Sequence, residues 1–449
     1  MGETSAAQDP VAARADVLVE ARSIAGLAAA LECASVGLQV RVLLPNRAGL
    51  APLGPVRDSA AGLRELAEEL GDALPALARV SEAHTLVRAK SGMLRPVPAG
   101  SVFGIPSSPL AKDVSALIGS SGAFRAYLDR IRPVLTIGKE RFLGPLVRSR
   151  LGNAVERTLV DPLIRERFGS GPDAVEVAVA VPGLNEALTR TGSLSGAVLD
   201  IAEDTVARET PLRPVGDWPE FVSALFARLE FFRAEAHDAE VLSATENPDV
   251  RYRWTVEDSA GGRHLARALV IEADPVGSSR SGENGHALRA YAEFSMARAA
   301  LAADAEEALV SGGALIETVS GGDGEPWSLR LEAGSPLRVR AAGPARQAGA
   351  EAGSAPTAGD LAALLASSDL VAGSPTAADV TGFRAWVEIA PEPTREAEQA
   401  REATLPGLRA EQPERLVIGE SVSGPGLSAA LRDARAAAVP LRRRLAGIA

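Results

Sequence analysis

Val17-Leu18-Val19 is a short, uninterrupted, partly β-branched run, the pattern of a parallel strand buried on both faces. Small and apolar residues then predict a helix from Ile24 to about Ser35, with Gly37 as its stop signal. Val40, Val42 and Leu43 mark a second strand. Strand, helix and strand within about 30 residues form a βαβ unit, which almost always winds right-handed. Leu63, Leu66, Leu70 and Leu74 share one face of a helix expected over about residues 60–78. Residues 106–168 carry helical rather than strand periodicity, and residues 218–234 read as an amphipathic helix. Residues 241–247, 250–257 and 266–273 alternate like strands, the last two joined by the turn Asp258-Ser259-Ala260-Gly261-Gly262. Two stretches crowded with Gly, Ser, Ala and Pro, residues 277–285 and 341–359, read as loops or linkers. Near the end come a short strand over residues 415–418, a glycine-bearing turn over 419–426 and a closing helix over 427–439. No internal repeat is evident.

With 449 residues and 46% hydrophobic content, the chain can bury a sizeable core distributed over two or three lobes. Its net charge of −11, with arginines scattered among carboxylates, argues against a nucleic-acid partner. The single cysteine, Cys33, excludes an intrachain disulfide and a cysteine-based zinc site. His84, His237, His264 and His286 match no metal-ligand spacing, so no metal is expected. The polar start lacks the charged and apolar regions of a signal peptide, and no apolar run approaches the roughly 20 residues of a membrane span. The expectation is a cytoplasmic protein with at most peripheral membrane contact.

The amino-terminal βαβ unit is where a dinucleotide fingerprint would sit. G-x-G-x-x-G supplies a tight turn, close backbone approach to pyrophosphate and close helix–strand packing, in that order. Here the register reads Ala21-Arg22-Ser23-Ile24-Ala25-Gly26, so only the third glycine remains. The ribose-binding carboxylate expected at the end of the second strand is replaced by Leu44, followed by Pro45. The unit is read as a structural element that binds nothing, with dinucleotide binding as the alternative, and the helix amides of residues 24–26 with Arg22 offer a weak anion site. A second glycine turn, residues 419–430, offers free amides at a helix start to an anionic oxygen; its bland reading is a strand and helix that close the sheet. Gly192-Ser193-Leu194-Ser195-Gly196 matches a nucleophile elbow, but the preceding residues 185–191 read as helix instead of strand. Glu65, Glu68 and Glu69 read as a solvated helix face, and Arg442-Arg443-Arg444 as a helix end favoured by the macrodipole.

Residues 17–30 resemble the opening of flavoprotein oxidases of the amine oxidase superfamily. Val102-Phe103-Gly104-Ile105-Pro106, Leu143 to Gly152, Val160-Asp161-Pro162-Leu163 and Gly192 to Gly196 resemble protoporphyrinogen and coproporphyrinogen oxidases. Trp386, with Pro391 behind it, stands where that family has a tryptophan-containing segment. The resemblance covers most of the chain and is strongest over residues 101–196. It implies an α/β fold with a discontinuous Rossmann-like FAD/NAD(P)-binding lobe over 12–95, 198–285 and 409–449. It further implies a helical lobe over 96–197 and a β-containing substrate lobe over 286–408. It also implies FAD as cofactor and oxidation of a porphyrinogen to a porphyrin by oxygen, with hydride passing to the flavin and no acid–base residue set. On that basis the residues placed to hold the cofactor are Arg22, Ser23, Gly26, Val241, Gly419, Glu420, Gly426 and Leu427. The departures fall on the nucleotide side: Ala21-Arg22-Ser23 for the glycine turn, Leu44 for the ribose carboxylate and Arg47-Ala48-Gly49-Leu50 for an Arg-x-Gly-Gly turn. The expectation is a porphyrinogen-oxidase-like protein of haem synthesis with impaired FAD binding, which retains a porphyrin or porphyrinogen cleft or partners an active haem-pathway enzyme. The alternatives are an active oxidase with an atypical flavin site and a structural or interaction protein without a ligand.

Overall fold

The computed structural model describes residues 12–52, 54–80, 85–133, 140–247, 251–274, 286–297, 300–310, 313–332, 336–347, 355–373, 375–410 and 414–447. The chain forms two compact units, one of residues 1–80, 211–275 and 400–449, the other of 81–210 and 276–399. Among the described residues no helix is long and apolar enough to cross a membrane.

The first unit is built on the βαβ element: β1 (Ala13–Glu20), α1 (Ile24–Ala34) and β2 (Val40–Leu43). It adds α2 (Gly62–Leu70), α3 (Trp218–Phe231), β3 (Glu235–His237), β4 (Val241–Glu246), β5 (Trp254–Asp258), β6 (Arg263–Glu272), β7 (Arg415–Ile418) and α4 (Leu427–Ala446). The sheet runs β3-β2-β1-β6-β5-β4, with β7 also pairing β6. The pairs β3–β2, β2–β1, β1–β6 and β6–β7 are parallel, while β6–β5 and β5–β4 are antiparallel. This is the mostly parallel arrangement expected of a Rossmann-like lobe. Alternation along β1 explains the layering. Val17 and Val19 face a core shared with α1, α3 and α4, whereas Leu18 faces a smaller cluster with Trp254, Val256 and Leu269. A three-stranded sheet of Val56–Arg57, Pro211–Pro214 and Leu77–Arg79 completes the unit.

Several boundaries differ from the sequence expectation for local reasons. The helix expected over 60–78 stops at Leu70 because Gly71 adopts φ 50°, after which the chain makes one 3-10 turn and enters the strand Leu77–Arg79. Conversely, α4 runs past Pro440 to Ala446, with Leu441 buried in the core beyond the proline. The loop expected over 341–359 begins inside the strand Leu337–Arg346 and ends inside the helix Ala358–Ala366, whose Thr357 and Asp360 form a reciprocal capping box. Small residues misled the sequence reading there: Ala341 and Ala342 are buried, and Trp327 lies against Gly343. The loop expected over 277–285 lies outside the described residues.

In the second unit, a sheet runs in the order Thr381–Ile389, Leu288–Met296, Leu337–Arg346, Pro326–Glu332, Ala314–Ser320, Thr85–Arg88, Leu94–Pro96. One face packs on Leu309 of the helix Ala303–Val310 and on Leu361, Leu364 and Leu365 of the helix Ala358–Ala366. A separate helical core gathers Leu117, Ile118, Leu146, Val147, Ile164, Leu188 and Leu194. Here the motif Val102–Ile105 is a tight turn pressed against the helical turn Glu156–Val160. Gly104 has φ 77°, and an added Cβ would lie 2.2 Å from the Leu159 carbonyl oxygen. Arg289 is the largest fully buried side chain in the protein's described residues and joins sheet to helix. It donates to the carbonyls of Gly343 at 2.7 Å, Glu166 at 2.8 Å and Arg165 at 2.8 Å. Arg289→Met should therefore remove a charged donor from three carbonyls, that of Gly343 fully buried, and destabilise the protein by ~3 kcal/mol, with Arg289→Lys restoring only part of the loss. Urea unfolding measures this; a Met variant within about 0.5 kcal/mol of the parent would contradict the role, since that is the range of neutral surface changes.

Candidate functional site

At the carboxyl end of β1 the chain turns through Ala21-Arg22-Ser23 into α1, leaving the helix's first amides in need of acceptors. In a dinucleotide-binding lobe these amides face the pyrophosphate. Here the N–H groups of the turn that leads into the helix face a carboxylate of the same chain. Glu272, the last residue of β6, is only 4% exposed, and its Oε2 accepts from the backbone N–H of Arg22 at 2.7 Å and of Ser23 at 2.9 Å. The Gly26 N–H also donates to this carboxylate, and the Ser23 hydroxyl donates to Oε1 in a short hydrogen bond. Ser23 serves α1 a second time as its N-cap, its Oγ accepting from the Ala25 N–H at 3.0 Å. Burial pushes the Glu272 carboxyl above its ordinary value of 4.5, against the lowering effect of those donors.

Gly26, the surviving glycine, is explained by this contact. An added Cβ would lie 2.4 Å from Glu272 Oε2 and 2.6 Å from Ala21 Cβ. The residue permits close packing of helix on strand, and what approaches it is Glu272. Gly419, with φ 107°, closes the same cradle from the end of β7, where its Cβ would lie 3.2 Å from Glu272 Cγ.

The remaining expected site residues fall as follows. Arg22 pairs with Glu20 at 3.0 Å and Glu240 at 2.8 Å, so its charge is committed to carboxylates. Burial raises the Glu20 carboxyl, while Arg22 and the Val241 backbone act against that rise. Thus Arg22, Ser23, Gly26, Val241 and Gly419 gather around Glu20 and Glu272. Glu420 sits half-buried in a single helical turn, Glu420–Ser423. Gly426 caps α4 with φ 96° and Leu427 begins it, half-buried. Leu44 is 1% exposed in the main core, and its N–H donates to the His237 carbonyl at 2.9 Å.

A second carboxylate serves α2. Asp58, 2% exposed, accepts from the N–H groups of Leu63 at 2.9 Å and Arg64 at 3.1 Å, and from the hydroxyl of Ser428 at 2.6 Å. Sequence reasoning missed Asp58, Ser428 and Glu272. The signal for Glu272 was a lone carboxylate at the end of the otherwise apolar run 268–273, at the carboxyl edge of a parallel strand where ligands bind in such sheets.

The other candidates separate cleanly. Ser195 is fully buried in the first turn of the helix Leu194–Glu209, with its Oγ unpartnered, and the helix Leu184–Thr191 precedes it; this is no nucleophile elbow. Glu65 and Glu68 are exposed, and Glu69 meets Arg435. Arg442 reaches Glu32 on α1, while Arg443 and Arg444 close the helix end. Trp386 stacks on Tyr291 with ring centroids 5.6 Å apart and planes 11° apart, and its indole N–H donates to Glu388 at 2.8 Å. Arg289 lies over the same Tyr291 ring at 5.2 Å.

No family model matches the chain. It is 26% identical to the coproporphyrinogen III oxidase of Staphylococcus aureus (strain NCTC 8325 / PS 47) over 168 residues, 37% of this chain and 34% of that protein. It is 27% identical to that of Propionibacterium freudenreichii subsp. freudenreichii over 196 residues, 40% of this chain and 37% of that protein. The matched stretch spans about a third of these relatives' own length. Among solved structures, a protein of Exiguobacterium sp. 255-15 named provisionally as a protoporphyrinogen oxidase superposes with a TM-score of 0.66 at 15% identity, covering 96% of this chain and 99% of that one. Cyclohexylamine oxidase of Brevibacterium oxydans IH-35A gives 0.53 at 15% identity, covering 96% and 99%. The chain therefore has the fold of these oxidases and, in sequence, resembles the coproporphyrinogen III oxidases.

Proposed function

We propose that this chain is a flavin-free relative of the porphyrinogen oxidases that binds a porphyrin or porphyrinogen without oxidising it. The observation that carries the reading is the Glu272 carboxylate lying on the amides that would otherwise face a pyrophosphate. FAD, the cofactor of the family the chain resembles, needs those donors, and two negative groups cannot share them. The fixed side chains of Ala21 and Ser23, and Leu44 in place of a ribose acceptor, act in the same direction. Without a flavin the chain holds no hydride acceptor, so binding is the role that remains to the substrate-side unit. Support for the porphyrin half comes from the resemblance over residues 101–196 and from the half-buried Trp386 indole, a flat ring backed by the stacked Tyr291 on the sheet of the second unit and suited to a planar macrocycle.

Three measurements check this reading. The purified protein should lack flavin absorbance, and one FAD per chain would overturn the proposal. Glu272→Ala should bind FAD at least about tenfold more tightly than the parent by calorimetry, because hydrogen bonds to a charged group contribute ~1.5–3 kcal/mol each. Coproporphyrin should quench tryptophan fluorescence saturably, with a smaller amplitude in Trp386→Phe; linear quenching matching an unrelated protein would leave the structural role standing.

Glu272 also makes a pH prediction. A carboxyl raised in the folded state stabilises the fold below its unfolded value and loses that contribution as pH rises through its folded value. Glu272→Gln, fixed in a neutral form, lacks the loss. Its stability relative to the parent should therefore rise from about pH 4.5 upward, the ordinary glutamate value from which the shift begins. Parallel stability–pH curves for the two proteins would show that Glu272 does not titrate as a buried group.

A further inference from the structure

At the opposite end of α1 from Glu272, where α1 and α3 both finish, a cleft of about 680 Å³ opens among the amino-terminal ends of the parallel strands. Three guanidiniums line it: Arg14 from β1, Arg41 from β2 and Arg233 from the turn after α3. Glu235 is the one carboxylate among its lining residues. This local excess of positive charge stands against a chain whose net charge is −11.

The three arginines are not equivalent. Arg41 is fixed: it pairs with Glu235 and lies 3.5 Å from Nδ1 of the buried His264. His264 Nε2 is 2.7 Å from Asp258 Oδ2, and Asp258 accepts from the Ala260 and Gly262 amides. Arg41 thus stands at one end of a chain of side chains that runs through His264 to Asp258 and braces it. Arg14 and Arg233 have no carboxylate partner among the described residues. Arg14 lies 5.7 Å from the Tyr252 ring centre, and Arg233 holds φ 61°, a backbone conformation uncommon outside glycine.

Beside these charges the described residues leave apolar surface exposed. Phe231 is 70% exposed, and Val36, between the lining residues Ser35 and Gly37, is 41% exposed. The Arg228 guanidinium lies 4.8 Å from the Phe231 ring centre and 4.7 Å from that of Phe232. The negative ends of α1 and α3 account for a cation or two here, since cations favour helix carboxyl termini. They do not account for exposed phenylalanine beside unpaired arginine. Aromatic and arginine side chains are the groups that dominate protein–protein contacts, with charge setting orientation and partner choice.

We infer that this cleft is a docking site for an acidic segment of a partner protein carrying an aromatic or large apolar side chain, its carboxylates meeting Arg14, Arg41 and Arg233 and its apolar group resting on Phe231. A lone phosphate or small carboxylate would engage the arginines but leave Phe231 and Val36 bare. This inference is independent of whether FAD binds at Glu272.

The test uses the full chain and a short fluorescein-labelled peptide of glutamates and aspartates around a central phenylalanine, followed by fluorescence anisotropy. Saturable binding that weakens with salt is expected. The double variant Arg14→Glu/Arg233→Glu should weaken it by about tenfold or more, and Phe231→Ser should weaken it while leaving the salt dependence in place. Glu235→Gln, which removes the competing carboxylate and releases Arg41, should strengthen it, a gain no misfolded variant would produce. The proposal is overturned by the absence of saturable binding, by a double variant that binds as the parent does, or by a peptide without its phenylalanine binding equally well. Displacement by ADP or inorganic phosphate at concentrations below those of the peptide would likewise overturn it and mark a small-anion site.

Discussion

The first turn of α1 and the last residue of β6 can be understood only together. The turn that leads from the sheet's interior into α1 must satisfy its amides, and the acceptor of its Arg22 and Ser23 N–H groups is Glu272, 250 residues from Arg22 in sequence, while Ser23 caps the helix itself. Gly26 lacks the carbon that would collide with it, Ser23 gives it a hydroxyl proton, and Gly419 makes room for its stem. Each of these residues also has a reading as part of a cofactor site, and the same carboxylate answers all of them. The arrangement ties β1, α1, β6 and β7 at one point. It therefore belongs to the stability of the lobe as much as to the question of what the lobe binds.

The device recurs. Asp58 closes the start of α2 and receives the Ser428 hydroxyl from α4. In the second unit Asp129, fully buried, accepts the Leu194 N–H at 2.5 Å at the start of the helix Leu194–Glu209 and pairs with Arg150. In all three places a buried carboxylate adds acceptors at the start of a helix: Glu272 and Asp129 come from far along the chain and act beside the local caps Ser23 and Ser193, whereas Asp58 lies five residues before Leu63. A negative group at a helix amino terminus is favoured by both hydrogen bonds and the dipole, so these starts need no outside anion. Two of the three sit in the stretches where the sequence most resembles a ligand-binding family.

That recurrence explains which parts of the protein were legible in its sequence. The βαβ unit, the amphipathic face of α3, the β5–β6 turn and the final strand follow from periodicity and local turn chemistry, and they stand where residues 17–44, 218–234, 258–262 and 415–418 place them. The missing glycines and Leu44 were legible as well, because a fingerprint is a local pattern. Glu272 was not, since nothing local to it names the amide it will meet; Asp58, five residues before Leu63, was a local capping signal that went unread. A carboxylate in an apolar run signals that a partner must exist, but the partner is a matter of tertiary register: Ile271 opposite Glu20 brings the next residue to the α1 turn. Small residues misled in the other direction, since Ala341-Ala342-Gly343 reads as a linker and lies in a buried strand against Trp327.

The energetics of the plug decide how much a lost glycine matters. Suppose only the turn were repaired and Glu272 kept. A pyrophosphate entering the cradle would have to displace a carboxylate that is 4% exposed and packed under Gly419. The displaced group would lose the Arg22, Ser23 and Gly26 donors while remaining buried, a cost of several kcal/mol for an unpaired charge, unless it took up a proton. Burial already biases it toward that proton, yet a neutral Glu272 would still occupy the amides. Repair of Leu44 alone fares no better, because a carboxylate at a position 1% exposed in the main core is itself an unpaired buried charge. The eroded fingerprint and the internal carboxylate are thus one coupled condition. On the proposed reading, changes at residues 21–23 and 44 should gain nothing for a nucleotide until Glu272 is gone, and loss of Glu272 leaves amides that water or an anion must then satisfy.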